Sequence, residues 1–171
     1  AQASAEVAVI RAALEDAGIT VIKVDEPANC QDGSETDNWG LCRGNKAVLS
    51  RLPNLRQAEE PYAEQTLRNL GKEIITPPAD LRFSGQGDAL PCGNLLFAGS
   101  RYRTDAAMHE FLADTLGYEV IGLQAVPALD QSGRPITNHT TGWPDSFYYD
   151  IDLAISIISD SLIAWCPGAF T

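Results

Sequence analysis

The sequence predicts an α/β fold assembled from a repeated hairpin, helix and strand. Three observations carry this. Apolar residues recur at helical spacing in three segments, each closed by a glycine, at 18, 71 and 117. Each glycine opens a short strand-like string, AGITVIKV, LGKEIITP and LGYEVIGL, at a period of about 50 residues, the range in which repeats build solenoids or propellers. Three further strings, GNKAVLS, CGNLLFAGS and SDSLIAWCPG, each set a polar turn before a buried strand.

Taken in order, Ala5 to Ala17 predicts a helix stopped by Gly18, and Thr20 to Val24 a strand. Asp25 to Gly40 turns polar and reads as a loop able to carry function. Leu41 to Leu52 predicts a hairpin turning at Arg43-Gly44-Asn45-Lys46. Ala58 to Leu70 predicts a helix, with acidic residues and Pro61 in its first turn where the helix dipole and proline geometry favour them. Glu73 to Thr76 follows as a strand, then Leu95 to Ala98, a helix from Asp105 to Leu116, and a strand from Glu119 to Gln124. Residues 130–146 are loop chemistry throughout and break the period, as a binding loop or lid does. Ala154 to Thr171 holds the last hairpin. The units therefore run 1–25, 40–78, 86–126 and 147–171. The first lacks a hairpin and the last a helix, so the expectation is either a piece of a longer domain or an array completed by a second copy or another chain.

Composition narrows the function classes. At 171 residues the chain suits one domain, and 44% hydrophobic with 20% charged residues reads as globular. A net charge of -11 disfavours nucleic acid and anionic membrane as partners. No apolar run approaches the length of a membrane span, and no complete signal peptide is present, so a cytoplasmic setting is expected. The four cysteines, 30, 42, 92 and 166, lack CxxC spacing and read as reduced thiols. No cofactor or metal is expected.

The stretch Phe83 to Asp105, FSGQGDALPCGNLLFAGSRYRTD, looks most like a ligand site. Gly85 and Gly87 would let Asp88 point into a pocket, and Arg101 and Arg103 stand where a guanidinium could take a ligand carboxylate. The same pattern is also that of a glycine turn with arginines on its rim. Asp150 and Asp152 lie two apart on an expected strand, hence on one side, where they could hold a cation or simply face solvent. His109, His139, Cys92 and Cys166 show no partner that would make them catalytic.

Several strings resemble the guanidino-group-modifying superfamily of arginine deiminases, dimethylarginine dimethylaminohydrolases and amidinotransferases. These are Asn29-Cys30-Gln31-Asp32 with Asp37-Asn38-Trp39-Gly40, AVLSR at 47–51, EEPY at 59–62, FSGQGDAL at 83–90, the LFAGSRYRTD string at 96–105, and FYYDIDLA at 147–154. The resemblance implies a five-bladed α/β propeller of ββαβ units, of which this chain holds a partial, pentein-like array. It also implies a chemistry in which a cysteine attacks the guanidinium carbon, a histidine moves the proton and carboxylates hold the cation.

The departures are specific. Ser84 stands where the family has a Glu, Asp150 stands where it has the His, and the nucleophile-bearing segment would lie past Thr171. The residues carried over are Asp32, Asn38, Asp88, Arg101, Arg103 and Asp152, which would bind an arginine-like small molecule. The expectation is a catalytically incomplete domain that keeps a guanidino-compound pocket or a partner surface. The alternative is an active hydrolase or transferase whose cysteine lies outside this chain or comes from another.

Overall fold

Two copies of one four-element unit form the body of the molecule. The computed structural model describes residues 2–25, 27–30 and 32–171. Ala1 of the first predicted unit and Gln31 of the Asn29-to-Asp32 string lie outside the described residues. In the first copy, β1 (Gly40–Arg43) and β2 (Lys46–Leu49) make an antiparallel hairpin, α2 (Glu60–Asn69) crosses over, and β3 (Glu73–Ile75) pairs parallel with β2. The second copy repeats this with β4 (Ala89–Cys92), β5 (Leu95–Gly99), α3 (Met108–Leu116) and β6 (Glu119–Leu123). A third hairpin, β7 (Ile155–Ser159) with β8 (Leu162–Trp165), stands as a two-stranded sheet. Three separate small sheets result, and no closed barrel forms among the described residues.

The predicted helices and turns have local causes. Pro61 sits in the first turn of α2, where its missing N–H has no partner to lose. α3 ends at Gly117, whose left-handed φ of +72° lets its amide return to the Ala113 carbonyl. The core lies between the two units, where Leu41, Val48, Phe83, Leu96, Met108 and Leu112 are all fully buried. An antiparallel bridge between Arg51 and Phe83 stitches the units together.

Two expectations are corrected here. Residues 20–24 follow α1 (Gln2–Asp16) without regular secondary structure and join no sheet. Of the apolar residues that predicted a strand, Ile22 is 58% exposed and Val21 and Val24 are half-buried, and none pairs with a strand. α1 itself buries no side chain and exposes Val7, Val9 and Ile10. Asp150 and Asp152 do not share a strand face. Ile151–Leu153 is a 3-10 turn, which rotates about 120° per residue, so Asp150 is buried while Asp152 faces solvent.

Residues 130–146 fold as two short bridged turns, Leu129 with Pro135 and Thr137 with Pro144, rather than as open coil. All four cysteines are free thiols. No helix among the described residues is long and apolar enough to cross a membrane.

Candidate functional site

The site begins with two tight turns pressed together. Thr36–Trp39 and Gly85–Gly87 are both short 3-10 turns. Gly85 has a φ of +65°, and a Cβ there would meet Ser50 Oγ at 2.7 Å and the Asp37 carbonyl at 2.8 Å, so only glycine permits the approach. The approach brings Asn38 against Ser84. The Asn38 amide nitrogen donates to the Ser84 carbonyl at 2.9 Å, to Ser84 Oγ at 3.1 Å and to Asp150 Oδ2 at 3.2 Å.

Arg56 holds the other end of that amide. Its Nη1 donates to Asn38 Oδ1 at 2.7 Å, while Nε and Nη2 each donate to Glu59 at 2.8 Å. Nη2 also reaches the Asp32 and Glu35 carbonyls, tying the loop to the site. Burial works to lower the pKa of Arg56, but the hydrogen bond and charge of Glu59, with Asp32 and Asp150, outweigh it and raise the value.

Asp88 sits beneath this layer. Its Oδ1 accepts from the Ile151 amide at 3.1 Å, which fixes the start of the turn that carries Asp150. The carboxylate lies flat against Gly99, where an added Cβ would fall 1.9 Å from Oδ1. Desolvation, then the charge of Asp150, pushes Asp88 well above the usual carboxylate range. Desolvation likewise raises Asp150 to about 6, partly offset by the Ser84 hydroxyl, the charge of Arg103 and the amide of Asn38. Asp152 is raised to about 7 by desolvation and by the charges of Asp150 and Asp37, but it faces solvent, which screens its effect on stability.

Beside Asp150 opens a cavity of about 250 Å³, lined by Asp32, Arg56, Ser84, Arg103, Tyr149 and Asp150 together with Asn138, Thr140 and Thr141 of the 130–146 insert. Two buried polar atoms of its lining have no hydrogen-bond partner among the described residues: Asp150 Oδ1 and Arg103 Nη1. The Arg103 guanidinium lies 4.7 Å from the Tyr149 ring centre and 5.8 Å from that of Trp143. Opposite charges with open valences therefore meet in one small polar space.

The residues expected from the sequence divide into three groups. Asp32 and Arg103 line the cavity. Asn38 and Asp88 stand behind it, their polar atoms engaged in placing Asp150. Asp152 borders a separate depression with Gln86, Leu90 and Ile157, and Arg101, at a φ of +94°, is exposed and away from the cavity. His109 bonds the Gly99 carbonyl at 2.9 Å, and His139 is exposed. Sequence reasoning missed Arg56, Glu59 and Tyr149. The first two carry a local signal, an Arg and a Glu three apart at the entry to α2, where side chains face each other.

The chain is similar in sequence and fold to several known proteins. The chain is 33% identical over 138 residues to AgrE, a bifunctional arginine dihydrolase/ornithine cyclodeaminase of a Nostoc species, across 79% of this chain and 17% of that protein. It is 32% identical over 155 residues to N(G),N(G)-dimethylarginine dimethylaminohydrolase of Mycobacterium tuberculosis, across 90% of this chain and 45% of that protein. In three dimensions it matches the binary complex of an AgrE variant with L-arginine at a TM-score of 0.77 and 29% identity, covering 93% of this chain and 21% of the other. The chain thus spans less than half the length of these relatives. No protein-family model matches it.

Proposed function

Since this chain is a homologue of the guanidino-group-modifying superfamily, whose arginine dihydrolases and dimethylarginine dimethylaminohydrolases it matches in sequence and fold, we propose that it binds an arginine-type guanidino compound in the cavity beside Asp150. One observation carries the reading. Arg103 Nη1 and Asp150 Oδ1 are buried and unpartnered, and both residues line the same cavity, which suits a small molecule with a carboxylate at one end and a cation at the other. Arg103 takes the carboxylate. Asp150, supported by Asp32, takes the cationic group. The three sheets then correspond to blades of a partial propeller, with the site at the face where their turns converge.

Binding without turnover is the first form of this proposal. Ser84 and Asp150 replace the Glu and His of the family strings, and no cysteine lines the cavity among the described residues. A second form is favoured by the raised Asp150: a carboxyl near 6 can accept and return a proton near neutrality, as hydrolysis or amidino transfer would need if a thiol were supplied from outside these residues. The free thiols fit a reducing compartment, and we place the protein in the cytoplasm. Calorimetry with L-arginine tests binding, and an assay for citrulline, ornithine and ammonia tests turnover. Heat without product supports the first form, product supports the second, and neither overturns both.

A further inference from the structure

The insert 130–146 is built onto the cavity. Its central loop runs from Asn138 to Trp143, closed by hydrogen bonds from the Asn138 amide to the Trp143 carbonyl and from the Gly142 amide to the Asn138 carbonyl, each 2.8 Å. The Asn138 side chain holds the loop from inside: Oδ1 accepts from the Thr140 and Thr141 amides at 3.0 and 3.1 Å, and the amide nitrogen donates to Asp145 at 3.3 Å. The base is pinned by Ser146, whose hydroxyl donates to the Val126 carbonyl at 2.7 Å. Trp143 fastens the loop to the body, its ring lying 5.1 Å from the Arg82 guanidinium carbon and 5.8 Å from that of Arg103. Arg82 is itself paired with Asp105, whereas Nη1 of Arg103, the other cation beside Trp143, has no hydrogen-bond partner among the described residues.

We propose that this loop reads the carboxylate end of the ligand together with Arg103, making Trp143 a positioning residue and Thr140 a specificity residue for guanidino compounds that carry an α-carboxylate. The inference rests on the binding reading given above and extends it. A carboxylate has lone pairs for several donors, and Arg103 Nη1 supplies only part of that demand. Thr140 of the insert lines the same cavity as Arg103, and its hydroxyl bonds no group among the described residues, so it is free to donate. Trp143 and Tyr149 flank Arg103, fixing the plane in which its fork meets the carboxylate. A guanidino compound without the carboxylate would leave Arg103 Nη1 buried and unpaired, which is the situation in which polar sites discriminate most strongly.

The experiment is calorimetry of the whole chain with L-arginine and with agmatine, which keeps the guanidinium and lacks the carboxylate. The parent protein is expected to bind arginine about tenfold or more tightly than agmatine. Trp143→Ala and, separately, Thr140→Ala are expected to weaken arginine about three- to tenfold while leaving agmatine unchanged. Trp143→Phe, which keeps a ring over Arg103, is expected to restore arginine affinity. Should Trp143→Ala fail to fold, the exposed Thr140 carries the test alone. Equal affinity for the two ligands, or equal loss of both in the variants, overturns this inference while leaving guanidino binding intact. Absence of heat with either ligand overturns both.

Discussion

Arg56 Nη1 donates to Asn38 Oδ1 at 2.7 Å, and that single bond decides which way the Asn38 amide faces. An arginine has no acceptor, so the amide oxygen must point to Arg56 and the NH2 group to Ser84 and Asp150. Arg56 therefore shapes the site twice, once through its own place in the cavity wall and once through Asn38.

Replacing Arg56 by alanine would strand Glu59, whose side chain is 1% exposed, as an uncompensated buried charge. The expected loss is about 3–5 kcal/mol in urea or guanidinium denaturation. Adding Glu59→Gln should recover part of it. A loss below about 1 kcal/mol, the level of a surface ion pair, would contradict the burial described for this couple.

Stability and ligand binding are expected to pull in opposite directions at Asp150. Its carboxyl is raised in the folded protein from 3.8 to about 6, so its contribution to stability is fully present below about 4 and is lost as the pH rises through 6. A raise of about two units corresponds to about 3 kcal/mol. Asp150→Asn keeps an oxygen for Asn38 and removes the charge. It should be more stable than the parent at pH 8 and indistinguishable at pH 4, while its affinity for L-arginine falls. Denaturation at the two pH values with calorimetry at the higher one checks both signs, and a variant less stable at pH 8 would refute the assignment of desolvation as the dominant cause.

Gly99 and Asp88 form a lock of another kind. Gly99→Ala would drive a methyl to 1.9 Å from Asp88 Oδ1, which forces backbone or carboxylate to move. The expected loss is about 1–3 kcal/mol, with L-arginine affinity reduced because the moved carboxylate releases the Ile151 amide that holds Asp150. Thermal melting and calorimetry on the same variant would show the two effects together.

A fourth expectation separates the core from α1. Leu112→Ala, at a fully buried position, should cost about 2–5 kcal/mol. Ile10→Ala, on a helix that buries nothing, should cost under about 0.5 kcal/mol. Denaturation across a range of protein concentrations checks this. A large, concentration-dependent loss at Ile10 would mean that another surface covers α1 in solution.

Most of the units were legible in the sequence because their signals are local. The glycine that ends α3 and the turn between β1 and β2 are fixed by conformations few other residues adopt, so composition reveals them. Residues 20–24 misled because a β-branched string reports only a willingness to pair, and the pairing strand must come from elsewhere. Asp150 and Asp152 misled for a different reason: a 3-10 turn and a strand are alike over three residues, and only Asp88, 63 positions from Ile151, selects the turn. Trp143 and Arg103 likewise meet across a long stretch of chain, which no spacing rule bridges.

The hydrogen bond from the Ile151 amide to Asp88 joins the glycine motif of the second unit to the approach to the third hairpin. The pocket consequently has no existence until the chain beyond the insert has returned and docked, making it one of the last features to assemble and one of the first to open in native-state fluctuations. The Ile151 proton is thus a natural clock for the site: its exchange with solvent deuterium should slow when the cavity is filled, while amides of β1 and β2 keep their rates. Occupancy could be followed residue by residue in this way, independently of any assay for product.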